Sequence, residues 1–154
     1  MRALRSALVA VAALSLALVP GAMSPAAAST ITMHNATDTF HDEVPCVGLG
    51  NITIVFNSVE HVSANPGGGF HETDTSTGTF TTVLDSGGTS SGHFTVWDNF
   101  NTANGVTGEG SFTFNGHVDS GVSAGTHWHE NAHFAGSLDP SVPPKVAFDK
   151  SHCT

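Results

Sequence analysis

The sequence predicts an all-β protein, and three observations support this fold class. Turn signals recur at short intervals, at residues 65–69, 85–88, 104–105, 115–116 and 119–121. The segments between them are rich in β-branched and aromatic residues, and several alternate apolar with polar positions. After residue 28, no segment places apolar residues at helical spacing for three turns.

We expect about eight strands in chain order, near residues 30–40, 51–63, 69–75, 78–84, 90–100, 107–116, 123–135 and 145–150. In the second, Ile52, Ile54 and Phe56 share one face. The string Gly-x-Phe-Thr recurs at 78–81, 92–95 and 110–113, and each glycine is expected to mark a bend or bulge. The prediction is a single antiparallel up-and-down β-barrel, with a β-sandwich as the alternative.

Residues 1–28 have the composition of a cleaved signal peptide. Arg2 and Arg5 precede an apolar run over 7–19, and small residues at 26–28 suit a cut after Ala28. The run is shorter than the roughly 20 residues that cross a bilayer, so a retained membrane anchor is the weaker alternative. We therefore expect a signal peptide at 1–28 and one secreted, extracellular domain at 29–154.

The charge of that domain restricts its partners. Only Lys145 and Lys150 oppose 13 acidic residues, which gives a formal charge of −11 after residue 28. A surface of this sign repels phosphate backbones and anionic lipid headgroups. We expect no nucleic-acid partner and no stable membrane anchor.

The two cysteines, Cys46 and Cys153, are expected to form a structural disulfide because export places them in an oxidising environment. Such a bond would join a site just after the first strand to the end of the chain. A redox or metal-binding role for the two thiols is the alternative.

Histidines are concentrated in the segment 126–134, which contains more of them than any other segment of this length. With a period of two, His127, His129 and His133 fall on one strand face, and Trp128 falls on the other. Two imidazoles at i and i+2 can converge on one zinc or copper ion. A third ligand would be His133 after a bulge, or a histidine of another strand; the candidates are His61, His71, His93 and His117. The alternative is a solvated polar face without metal.

The segment 71–74 carries Glu72 and Asp74 after a glycine loop. Calcium binding is conceivable there, but the segment lacks the ligand count and glycine placement of a known calcium loop. We interpret it as a solvated edge strand.

Four features together resemble a group of small exported bacterial β-proteins without an assigned activity. They are Pro45-Cys46, the three Gly-x-Phe-Thr strings, the histidine strand from His127 to His133, and Lys150 to Cys153. The shape of the group is similar to allene-oxide-cyclase-like and lipocalin-like barrels. The resemblance implies a barrel and a ligand pocket, but a fold does not by itself imply a function.

The sequence supports three functional hypotheses and names no catalytic residue. The first is a non-catalytic binding or surface-interaction protein with an extracellular partner. The second is a zinc- or copper-dependent protein or enzyme built on His127 and His129. The third is a barrel isomerase or cyclase acting on a small apolar ligand, and it rests on fold similarity alone.

Overall fold

The computed structural model describes residues 27–102, 106–137 and 145–154. They form one antiparallel sheet whose seven strands lie side by side in chain order. The strands are β1 (Ala27–Val44), β2 (Gly48–Ala64), β3 (Phe70–Leu84), β4 (Thr89–Thr102), β5 (Thr107–Gly121), β6 (His127–Ser137) and β7 (Lys145–Cys153). The all-β class and the up-and-down order predicted from the sequence are confirmed.

The count is seven strands because the segments predicted at 69–75 and 78–84 are one strand, β3. No turn interrupts the chain at Gly78, which pairs in regular register with Phe56 on β2 and Phe94 on β4. A Cβ at Gly78 would collide with the backbone of Val55. The glycine is therefore required for close approach between strands and does not mark a bend.

The sheet is rolled but not closed. Seven flat strands at a spacing of about 4.8 Å would hold β1 and β7 about 29 Å apart. Instead, Cys46 after β1 and Cys153 in β7 form the expected disulfide, with Cα atoms 6.2 Å apart. Across the interior, the rings of Phe80 on β3 and Trp128 on β6 lie 5.5 Å apart between centroids.

The predicted closure of the barrel is not found in the described residues, because β1 and β7 form no hydrogen-bonded pair there. The two edge strands differ in length: β1 has 18 residues and β7 has nine. A last strand this short cannot line the full length of the first. The two edges are instead joined covalently at one end, by Cys46–Cys153. Since the described residues form a single sheet, they give no support to the sandwich alternative.

The hydrophobic core fills the disulfide end of the rolled sheet. It is formed by side chains on the concave inner face, which from β2 to β6 is the even-numbered face. The buried members of the core cluster are Val44, Ile52, Phe80, Phe94, Val96, Phe114, Val118 and Trp128. Burial of these apolar side chains is the main stabilising contribution, at about 25 cal/mol per Å².

Of the three repeated glycines, only Gly92 lies at a pairing irregularity. The register between β4 and β5 shifts between Ser91 and Gly92. Gly92 also makes room for the core, because a Cβ there would come within 2.8 Å of the Phe80 ring atom Cζ. A bulge therefore lies beside Gly92, although its extra residue, Asp119, is on β5. The predicted bulge is wrong at Gly78 and Gly110, where pairing is regular.

The predicted signal peptide falls almost wholly on residues 1–26, outside the described residues; Ala27 and Ala28 begin β1. Within the described ranges, no helix has the length and apolar character needed to cross a membrane.

Candidate functional site

The outer, convex face of β4 to β7 carries a group of histidines, which we call the histidine face. Odd-numbered positions of β5 and β6 point outward, while Trp128 and Ala132 of β6 are buried on the inner side. The predicted division of the histidine strand into an apolar and an imidazole face is thus confirmed. The members are His93, His117, His127, His129, His133 and His152.

Three side chains of the histidine face bring ligand atoms together. His93 on β4 is directly opposite His117 on β5, and Asp119 follows two residues later. One ligand atom from each of the three lies within 4.8 Å of the others. Asp119 is the extra residue at the register shift between β4 and β5, since Val118 and Ser120 pair with consecutive residues of β4. The bulge therefore directs the carboxylate towards the two imidazoles.

Hydrogen bonds fix the Asp119 carboxylate between the rings. His93 Nδ1 donates to Oδ2 over 3.0 Å, and His117 Nδ1 donates to Oδ1 over 2.7 Å. These two hydrogen bonds lower the pKa of Asp119 below its ordinary value, so the carboxylate is held in its ionised form. The site is open to solvent: the side chain of His93 is 60% exposed and that of His117 is 25% exposed.

Two imidazoles and an ionised carboxylate suit zinc or copper. In a tetrahedral zinc site with bonds of 2.0–2.1 Å, ligand atoms are about 3.3 Å apart. Atoms already within 4.8 Å reach that spacing by small rotations of exposed side chains. The ring of His127 packs 4.1 Å from that of His117, centroid to centroid, beside the three ligands.

The three histidines predicted from the sequence take different partners. His127 lies against His117. His129 is hydrogen-bonded through Nδ1 to the Asn115 side chain, and its ring lies 5.4 Å from that of His152. His133 shares a 2.9 Å hydrogen bond with Ser111 Oγ. The structure thus brings His127 towards the cluster, while His129 and His133 are engaged separately.

The reason lies in the geometry of a sheet. Residues i and i+2 on one strand are about 6.5–7 Å apart, whereas directly opposed residues on neighbouring strands have Cβ atoms about 4.5–5.5 Å apart. Ligands therefore meet readily across strands, as His93 and His117 do, and here they meet along one strand, as His117 and Asp119 do, at a bulge. His93 and His117 were among the candidate third ligands in the sequence, but Asp119 was missed because its position depends on the bulge. His61 and His71 bond elsewhere, to Thr30 and Asn101.

A second group of chemically active side chains lies on the inner face, away from the disulfide. Glu60, Asp74 and Asp98 are directly opposed on β2, β3 and β4. Glu72 is the next inward-facing residue on β3. We call these four residues the interior carboxylates. Glu60 and Glu72 are 8% and 4% exposed, respectively.

Burial holds Glu72, Asp74 and Asp98 towards their protonated forms, and repulsion between carboxylates adds to this effect for Glu72 and Asp98. Burial, followed by the charges of Glu60 and Asp98, raises the pKa of Glu72 from 4.5 to about 7. Burial and the charges of Asp74 and Glu60 raise the pKa of Asp98 to about 6. The pKa of Asp74 is also raised by burial, although a 2.7 Å hydrogen bond from Ser76 Oγ opposes this change.

The interior carboxylates correct the interpretation of segment 71–74 as a solvated edge strand. β3 lies between β2 and β4, and Glu72 faces the interior because its even-numbered position continues the face of Phe80 and Leu84. A signal was present in the sequence: the face of Ile52, Ile54 and Phe56 extends with a period of two to Glu60.

The fold defines the class of this protein as a rolled, antiparallel up-and-down sheet joined by one disulfide. No family model matches the chain, and neither a curated protein nor a solved structure shows significant similarity to it.

Proposed function

We propose that this chain is an exported, non-catalytic binding protein that holds one zinc or copper ion on its histidine face. The observation that carries the proposal is the approach of His93, His117 and Asp119 to within 4.8 Å of one another. Their donor types are those that zinc and copper prefer. This proposal replaces the metal site predicted on one strand, at His127, His129 and His133, by a site formed by β4 and β5. His127 would be a fourth ligand there.

Export is supported by the composition of residues 1–28 and by the disulfide, which is typical of proteins in oxidising environments. The antiparallel fold agrees with the resemblance to small exported bacterial β-proteins. The negative charge of the domain argues for a cationic or neutral partner and against nucleic acid.

The interior of the rolled sheet does not support the hypothesis of an isomerase acting on a small apolar ligand. Phenylalanine, valine and tryptophan side chains already fill its disulfide end. The remaining inner face carries carboxylates beside phenylalanines, and an apolar ligand would not compensate the desolvation of the carboxylates.

The test is a titration of zinc into protein purified without an affinity tag. We expect one ion per chain, and we expect His117→Ala to weaken binding more than about tenfold, since it removes a direct ligand. His133→Ala is the matched control, because it removes an imidazole from the same face outside the cluster. Binding that is lost in His133→Ala and kept in His117→Ala would place the metal on the histidine strand. Absence of zinc and copper binding in the wild type would end the proposal.

A further inference from the structure

The interior carboxylates form a second candidate site, separate from the histidine face and on the opposite side of the sheet. The distinguishing feature, in the part of the chain that the structure describes, is the absence of a positive charge, since the hydrogen bond between Glu60 and Glu72 joins two carboxyl groups. Within the described residues, the charged groups that act on Glu72 and Asp98 are other carboxylates, and no cation contributes. Lys150 lies opposite Asn131, on the outward side of the sheet. Directly opposed like charges destabilise a sheet.

Two unpartnered polar atoms lie on the inner face at the carboxylates. Glu60 is more than nine-tenths buried and lies opposite Asp74, yet its Oε1 atom has no hydrogen-bond partner. Ser58, the preceding inward-facing residue on β2, is 3% exposed, and its Oγ atom is equally unpartnered. A buried polar atom without a hydrogen-bond partner costs about 1–3 kcal/mol. Two such atoms on adjacent inward-facing residues indicate a place where a hydrogen-bond donor would stabilise the protein.

Aromatic rings accompany the carboxylates on the side away from the disulfide. Glu72 is directly opposite Phe100, and the ring of Phe100 lies between those of Phe70 and Phe134, at centroid distances of 6.3 and 6.4 Å. Phenylalanine faces attract cations, and their apolar surface suits the body of an organic ligand.

A cavity of about 720 Å³ lies at the end of the sheet opposite the disulfide. Phe70 and Thr102 line it, and the interior carboxylates lie deeper and do not. This volume is in the range of small-molecule sites. The next inward-facing residue beyond Phe70 on β3 is Glu72, about 6.7 Å further in.

We propose that the interior carboxylates and the adjacent phenylalanines bind a small organic cation, a primary ammonium group carried on an apolar body. The ammonium would donate hydrogen bonds to Glu60 and Glu72, the charge of Asp98 would attract it, and the rings would contact the body. The spread of the carboxylates favours an organic cation over calcium. Among the described residues, the only group of three or more potential ligands with atoms within 4.8 Å of one another is the one on the histidine face.

The experiment is a calorimetric titration of tag-free protein at about pH 8, where Glu72 and Asp98 are both ionised. The probe is phenethylamine, and phenethyl alcohol is its uncharged match. We expect the amine to bind and the alcohol not to bind. Glu72→Gln and Asp98→Asn should each weaken binding of the amine more than about tenfold, since the first removes a charge-assisted hydrogen bond and the second removes a neighbouring negative charge. Asp85→Asn, in the turn at the disulfide end, is the control and should leave binding unchanged.

Three results would overturn the proposal: no binding of the amine, equal binding of the amine and the alcohol, or equal binding of the amine by wild type and both variants. Calcium binding that is lost in the variants, without amine binding, would also refute it. If a variant does not fold, the melting temperature of the wild type is measured with each probe. A rise with the amine and none with the alcohol supports the site, and no rise with the amine refutes it. Failure of zinc binding at His117 would not affect these measurements.

Discussion

Replacing Glu72 by glutamine should stabilise the protein at neutral and alkaline pH. In the folded state, burial and the charges of Glu60 and Asp98 raise the pKa of Glu72 from 4.5 to about 7. Each unit of difference between the folded and unfolded pKa corresponds to about 1.4 kcal/mol, so the ionised side chain lowers the free energy of unfolding by about 3 kcal/mol at most. The buried amide of glutamine keeps part of the desolvation cost, so we expect a gain of about 1–3 kcal/mol.

The pH dependence gives the sign of this effect. Below pH 4.5, Glu72 is protonated in both the folded and the unfolded state, and the variant should have no advantage. Between 4.5 and about 7, the folded state binds more protons than the unfolded state, so the wild type loses stability as the pH rises. Above this window the full difference between variant and wild type should be present.

Urea denaturation of both proteins at about pH 4 and pH 8 measures the difference directly. At about pH 8 the melting temperature of Glu72→Gln should exceed that of the wild type by about 3–10 °C. The control is Glu109→Gln, an exposed residue on the outer side of β5, which should change stability by less than about 0.5 kcal/mol. A variant that is equal to the wild type, or less stable than it, at about pH 8 would refute the reasoning.

Two further predictions concern the rolled sheet. Replacing both Cys46 and Cys153 by serine should lower the free energy of unfolding by about 2–4 kcal/mol, measured in urea, because the bond closes a loop with a sequence separation of 107 residues; an unchanged value would show that the edges stay together without it. Gly92→Ala should cost about 1–3 kcal/mol, because the new methyl group meets the Phe80 ring and neighbouring backbone. Thr81→Ala, an exposed substitution on β3, is the control, and equal stability of these two variants would contradict the packing argument.

Much of the fold could be predicted from local sequence. The period-two alternation around Ile52 placed strand faces correctly, and the same alternation separated Trp128 from the imidazoles of His127 and His129. The turn signals at 65–69 and 85–88 gave the up-and-down order, because short connections make consecutive strands antiparallel neighbours. The turn signals at 115–116 and 119–121 were misleading, since both lie within β5. The pairing of Cys46 with Cys153 followed from the count of two cysteines.

Both candidate sites depended on information that no single segment contains. The cluster of His93, His117 and Asp119 needs the register between β4 and β5 and the bulge within it. The interior carboxylates need three strands aligned so that Glu60, Asp74 and Asp98 are opposed.

By itself, the sequence determined that this chain forms strands, which side of each strand is apolar, and which sulfur atoms are available to pair. These properties are local, since successive side chains of a strand point to opposite faces. The tertiary structure decided which residues on different strands became neighbours and that the sheet rolled without sealing. Register fixes these contacts, and a slip of one residue would exchange the two faces of a strand. For this reason the imidazoles and carboxylates acquired their partners only in the folded sheet.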